Sequence, residues 1–250
     1  MIDHMRLSVL GSAGSYGAPG QACSSYLVQE GDGAILLDCG NGSFSNLLRF
    51  ADPGELDAVF ISHSHHDHLV DLVSLYHYLL FVPGALRHRL KLFLSAPTLE
   101  ALNRIFPVEL GVVFEVIEVD AGGFADLGSM SLAFGAAIHM SGSLSIRIAS
   151  GSKSLVYGGD GAASPELELF CARTDLLVAE ATWISRPPLA PSGLHMDAAM
   201  LAEMARACQP KTLLVTHVAF PATSSEAATT IRQAYAGVVI GARDAMTIVI

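Results

Sequence analysis

The chain has 250 residues, of which 51% are hydrophobic and 15% charged, with a formal net charge of −10. This is ample apolar material for a buried core and excludes a disordered chain. The acidic balance disfavours broad binding to a nucleic-acid backbone, and the length suits one α/β domain over residues 1–250.

In chain order, short apolar runs punctuated by Gly, Asn and Asp come first: RLSVL at 6–10, SYLVQ at 25–29, AILLD at 34–38 and AVFIS at 58–62. They predict strands. A helix is expected from about Leu69 to Phe81, ended by Pro83-Gly84. Then follow a strand at LKLFLS, a helix from about Thr98, a strand near FEVIEV, and strand-like runs at 130–134 and 144–149. The second half alternates: SLVYGGD, a helix from about Ser164, LLVAEAT, a helix opened by His195, TLLVTH, a helix from about Ser224, and VVIGA. Several of these strands end in a polar residue: Asp38, Ser62-His63, Asp160, Glu180 and Thr216-His217. Ligands of open α/β sheets gather at such strand ends.

Cys23, Cys39, Cys171 and Cys208 form no CxxC pattern. The N-terminal apolar run is too short for a secretory signal, so they are expected to be reduced core cysteines of a cytoplasmic protein. No uncharged apolar stretch approaches the roughly 18 residues of a membrane span.

The densest chemical signal is HSHHDH at 63–68, four of the chain's ten histidines in six positions. His63 and His65 are two apart, so in extended backbone they point the same way. Asp67 and His68 fall on the next part of the loop, where they can serve a second ion. Imidazole and carboxylate are ligands that zinc and its neighbours prefer. One loop cannot fill two metal sites, and further candidates stand at strand ends: His139, Asp160 and His217. A solvated polar loop is the plain alternative for HSHHDH, and a hydrogen-bonded loop residue for each downstream histidine taken alone.

HSHHDH followed by His139, the GD at 159–160 and His217 resembles the metallo-β-lactamase superfamily, over nearly the whole chain. The resemblance implies an αββα sandwich of two mixed β-sheets flanked by helices. It also implies two divalent metal ions, with zinc first and manganese or iron able to occupy the same shell. His63, His65, His139 and Asp160 would hold one, and Asp67, His68, Asp160 and His217 the other. Asp160 is shared, and no cysteine stands nearby, unlike the antibiotic-hydrolysing branch with a cysteine ligand.

EAT at 180–182 and SGLHMDAAMLAEMA at 192–205 are similar to the ribonuclease Z-like phosphodiesterases. That likeness implies His195 as general acid, oriented by Glu180, although Leu194 separates Gly193 from His195 where the family has a GH pair. The implied reaction is a two-metal hydrolysis in which Asp67 also orients or deprotonates the nucleophile. Members that process transfer RNA carry a long arm between the third and fourth metal motifs. Here His139 and Asp160 are 21 positions apart, with no room for one. A small phosphodiester such as a cyclic nucleotide is therefore the expected substrate. Transfer-RNA 3′ processing and lactone or thioester hydrolysis are the alternatives. A homodimer is implied by the family alone.

GSAGSYGAPG at 11–20 lacks the spacing of a nucleotide-cradling loop and is expected to turn the first strand over the metal site. Asp38 is expected to partner a ligand histidine from behind, and Asp71 to cap or orient beneath the metal loop. His66, His77 and His88 read as surface or packing residues, and Tyr76, Tyr78 and Phe81 as helix core or dimer contact. Trp183, beside EAT, is a candidate for the pocket wall.

Overall fold

The computed structural model describes residues 2–250. The chain runs β1 (Ile2–Gly11), β2 (Ser25–Gly31), β3 (Gly33–Leu37), α1 (Ser43–Leu47), β4 (Ala58–Phe60), α2 (His66–Leu69), α3 (Leu72–Phe81), β5 (Leu90–Leu94), α4 (Ala96–Ile105) and β6 (Phe114–Glu118). It continues with β7 (Phe124–Leu127), β8 (Met130–Ala136), β9 (Leu144–Ser150), β10 (Lys153–Tyr157), α5 (Pro165–Cys171), β11 (Leu176–Glu180), α6 (Ala198–Cys208), β12 (Thr212–Thr216), α7 (Ser224–Arg232), β13 (Val238–Gly241) and β14 (Thr247–Val249).

Two seven-stranded sheets result, in the orders β14-β1-β2-β3-β4-β5-β6 and β13-β12-β11-β10-β9-β8-β7. Both are mixed. In the first, β14, β1, β2 and β3 pair antiparallel, and β3 to β6 run parallel. In the second, β7 to β10 pair antiparallel, and β10 to β13 run parallel.

The strand period sorts the core into three layers. Met5, Leu7 and Val9 of β1, Ile35 and Leu37 of β3, and Leu155 and Tyr157 of β10 meet between the sheets. The alternate residues face outward: Leu36 and Val59 onto α1 to α4, Leu177 and Val215 onto α5 to α7. This is the expected αββα sandwich.

Helix starts follow their caps. Ser95, Ser164 and Asp197 each accept the backbone N–H three residues on, and Thr223 and Glu226 form a capping box. The helix expected over 69–81 is in fact two, α2 and α3, broken at Val70-Asp71. The Asp71 carboxylate there accepts the Phe44 N–H (2.9 Å), tying the break to α1. Asp67 and His68 thus stand on the helical turn α2 rather than on a loop. His195 does not open a helix: α6 begins at Ala198 behind its Asp197 cap, and His195 lies in the preceding loop. Short α1, β7 and β14 had no distinct signal in the sequence. Among the described residues no helix is long and apolar enough to cross a membrane.

Candidate metal centre

The parallel strands of both sheets deliver their C-terminal ends to one rim. Beyond β3 comes Asp38, beyond β4 His63 and His65, beyond β10 Asp160, at the end of β11 Glu180, and beyond β12 His217. Asp38 and His217 adopt left-handed backbone conformations at φ 55° and 54°. Non-glycine residues hold such conformations only where their surroundings over-determine them, commonly at functional sites.

All seven expected ligands come together in two groups, His63, His65, His139, Asp160 and Asp67, His68, Asp160, His217. Within the first, His65 Nδ1 lies 3.0 Å from both His63 Nε2 and His139 Nε2, and His63 Nε2 is 3.9 Å from Asp160 Oδ2. Within the second, His217 Nε2 is 3.1 Å from Oδ2 of both Asp67 and Asp160. His68 Nε2 stands 3.3 Å from Asp160 Oδ1 and 3.5 Å from Asp67 Oδ2. A tetrahedral zinc ion with bonds of about 2.0–2.1 Å spaces its ligand atoms by about 3.4 Å.

The surrounding hydrogen bonds fix which nitrogen faces inward. His63 Nδ1–H donates to Ser62 Oγ (3.0 Å), whose own proton goes to Asp38 Oδ2. His68 Nδ1–H donates to Asp38 Oδ2 (2.6 Å). His139 Nδ1–H donates to the Leu194 carbonyl (2.9 Å). His217 Nδ1–H donates to Thr182 Oγ1 (3.0 Å), which donates in turn to Glu180 Oε2. Each Nε2 thus faces the cluster, as the nitrogen that would ligate once deprotonated. His68 Nε2 is buried with no hydrogen-bond partner. Three ring nitrogens converge around His65 with at most one proton among them. Lone pairs facing one another at 3.0 Å call for a cation, so the donor set fits two divalent metals.

Charge divides the same way. Burial, with His68 beside it, holds His63 well below the usual imidazole value. Burial likewise lowers His65 and His139, so these rings are neutral and ready to ligate. Burial would also lower His68 and His217, but Asp160, with Asp38 on the one and Asp67 on the other, outweighs it and raises both. Asp160 and Asp67 are pushed up by burial and held down more strongly by the same histidines, and both stay ionised. Cys23, which senses the Asp67 charge, is raised by burial to about 12, so it offers a neutral thiol rather than a ligand.

Behind the ligands, Asp38 is fully buried and accepts four hydrogen bonds: Ser62 N–H and Oγ–H, His68 Nδ1–H and the Tyr157 hydroxyl (2.6 Å). It therefore orients both His63 and His68. The loop after β1 turns over the site, with Ser15 N–H donating to Asp67 Oδ2 (2.8 Å). A Cβ on Gly14 would lie 2.7 Å from His217 Nδ1, so only glycine lets this strand pass.

Glu180 and His195 do pair. His195 Nδ1–H is shared between Glu180 Oε1 (3.0 Å) and Oε2 (3.2 Å), and Nδ1 is 3.9 Å from Asp160 Oδ2. Glu180 is buried and further held by Gly161 N–H (2.8 Å), Met196 N–H and Thr182. The His195 ring stays partly exposed, and Trp183 meets it edge-on with centroids 5.6 Å apart. His66 lines the pocket mouth; His77 stacks on Phe81 and His88 bonds the Leu56 carbonyl, both away from the cluster.

Sequence reasoning missed four contributors: Thr182, Tyr157, the Ser15 amide and the Leu194 carbonyl. Thr182 and Ser15 lie inside stretches already singled out, EAT and GSAGSYGAPG. A strand-end tyrosine and a backbone carbonyl leave no trace in a sequence.

The model of the beta-lactamase superfamily domain matches residues 34–218. YhfI of Bacillus subtilis, named as a probable metallo-hydrolase, is 28% identical over 223 residues, 86% of this chain and 87% of its own. The YhfI crystal structure superposes with a TM-score of 0.88 at 25% identity, over 99% of both chains. A diphosphatase of the PhnP family superposes at 0.78 and 20% identity, over 99% of this chain and 97% of its own. The short form of human tRNase Z does so at 0.73 and 20%, over 97% and 98%. At 20% identity the likeness is one of fold.

Proposed function

The chain belongs to the metallo-β-lactamase superfamily of metallo-hydrolases, and from that premise we propose that it is a two-metal phosphodiesterase for a small phosphodiester such as a cyclic nucleotide. The observation that carries this reading is the Glu180–His195 pair beside Asp160. Hydrolysis of a ribose phosphodiester expels an alkoxide, a poor leaving group that needs a proton. His195 holds one ring nitrogen on a buried carboxylate and keeps Nε2 for the substrate, as a proton donor requires.

His63, His65, His139 and Asp160 would hold one divalent ion, and Asp67, His68, Asp160 and His217 the other, zinc first, with manganese or iron compatible with the shell. Such ions supply Lewis acidity toward the phosphoryl oxygens and activate a water. The chain's own groups do the rest. Asp67, fixed by Ser15 N–H, orients the attacking water. Glu180 orients the His195 ring by accepting its Nδ1–H. His195 gives its Nε2 proton to the departing oxygen.

The similarity to tRNase Z supports a second reading, transfer-RNA processing. Against it, β9 and β10 fill the interval between His139 and Asp160, and the chain carries a charge of −10. Cytoplasmic location, a single domain over 1–250 and a homodimer belong to the proposal too, the last tested by size-exclusion chromatography. The decisive assay is hydrolysis of 3′,5′- and 2′,3′-cyclic nucleotides by protein loaded with zinc or manganese, with Asp67→Ala as control. Turnover lost in the variant supports the reading. No turnover with metal bound overturns the cyclic-nucleotide reading and directs the assay to precursor transfer RNA and then to lactones.

A further inference from the structure

The pocket over the ligands has a volume of about 250 Å³ and is lined by Ser15, His65, His66, Asp67, Asp160 and His195. None of these is Lys or Arg. A phosphoryl group therefore meets imidazoles, carboxylates and the ions they hold, and the rest of a substrate must be recognised by something other than fixed cationic side chains.

The segments that carry Ser15 and His217 offer exposed aromatic surface instead. Tyr16, next in the chain to Ser15, is 51% exposed, and Phe220, three positions after His217, is 50% exposed. The two are tied together, because the Tyr16 hydroxyl donates to the Phe220 carbonyl oxygen (2.9 Å). Both are also tied to the ligands. Ser15, at φ 61°, donates its N–H to Asp67, and Gly14 N–H bonds the Val218 carbonyl (3.3 Å) beside His217. An exposed tyrosine ordinarily loses rotamer freedom when a ligand stacks on it; here that freedom is already restrained, so the ring is preorganised. Base–aromatic stacking needs no cation, which suits a pocket lined without Lys or Arg.

We propose that Tyr16, braced on Phe220, is a substrate-binding platform that stacks the planar base of a nucleotide phosphodiester while its phosphoryl group sits at the ligand cluster. This deepens the phosphodiesterase reading and rests on it. Tyr16 determines which substrate binds and takes no part in bond breaking.

The test uses the zinc-loaded full chain and three probes: adenosine 5′-monophosphate, ribose 5-phosphate and octyl phosphate. Binding is followed by calorimetry and by the fluorescence of Trp183, the chain's one tryptophan, which touches His195. Adenosine monophosphate is expected to bind roughly 5- to 150-fold more tightly than ribose 5-phosphate. Tyr16→Ala is expected to bring the two within about twofold by removing the stacking contribution, with ribose 5-phosphate affinity unchanged, and Tyr16→Phe to keep most of the preference. Equal affinities in the unaltered protein, a preference that survives Tyr16→Ala, or tighter binding of octyl phosphate than of adenosine monophosphate would overturn the proposal. Hydrolysis of bis(p-nitrophenyl) phosphate, measured alongside, reports on the phosphodiesterase reading separately. Cleavage without a base preference sinks only the platform; a Tyr16-dependent preference without cleavage sinks only the reaction.

Discussion

If two ions are held as proposed, replacing Thr182 with valine should weaken the binding of one of them. Thr182 is buried, and its hydroxyl does two things at once: it accepts His217 Nδ1–H (3.0 Å) and donates to Glu180 Oε2. Valine keeps the shape and removes the oxygen. His217 is then left either with an unsatisfied buried N–H or in the other tautomer, with its proton on Nε2 between Asp67 and Asp160, where a metal should bind. An unsatisfied buried donor costs about 1–3 kcal/mol, and loss of an outer partner to a metal-ligating histidine weakens affinity by about 10–100-fold. The loss should fall on the Asp67, His68, Asp160, His217 group alone, because in the other group His63 and His139 are held from behind by Ser62 and the Leu194 carbonyl, and none of its histidines bonds Thr182. Competition with a chromophoric chelator should resolve one unchanged ion and one weakened by that factor, and Thr182→Ser should restore it. Two ions bound as tightly in Thr182→Val as in the parent, or no recovery with serine, would refute the chain of hydrogen bonds from His217 to Glu180.

Further expectations concern the same network and the acid limb of stability. His195→Ala should slow hydrolysis of a ribose phosphodiester by about 10²–10⁴-fold, and a diester with a p-nitrophenolate leaving group much less, since that anion departs without a proton; equal losses on both would remove His195 from proton donation. Asp38→Ala strands four buried donors, so it should lower the thermal midpoint and metal content together, as read by calorimetry and elemental analysis. Because Asp160 and its neighbours raise His68 and His217 above the usual imidazole value, metal uptake near neutral pH should release protons, and affinity should fall as pH is lowered. Titrations in two buffers of different ionisation heat measure that release; identical heats would refute it. Asp175 is raised by burial but lowered more by Lys211 (2.6 Å) and the Ser154 amide, so its folded value lies below the ordinary 3.8. Its contribution is therefore present above about pH 4 and lost as pH falls through the depressed value. Asp175→Asn should flatten the acid limb of the thermal midpoint plotted against pH.

The sequence by itself singled out the residues whose chemistry suits a metal and twelve of the fourteen described strands, β7 and β14 being the two without a signal. HSHHDH, His139, Asp160 and His217 are legible because ligand chemistry needs those side chains, and because each stands where an apolar run stops. AILLD and AVFIS are apolar throughout, so the sequence marks them as strands buried on both faces, while which of their residues face each layer, Ile35 and Leu37 between the sheets and Leu36 and Val59 toward the helices, emerges only in the fold. Helix boundaries were less legible. The split between α2 and α3 depends on Asp71 reaching Phe44, and the start of α6 on the Asp197 cap rather than on His195, contacts that periodicity does not encode. What only the tertiary structure decided is the wiring behind the ligands. Asp38 serves Ser62, His68 and Tyr157 from three separate segments, and Thr182 joins His217 to Glu180 across the ends of β11 and β12. A hydrogen bond is set by distance and direction between atoms far apart in the chain, and those exist only once both sheets have closed on each other.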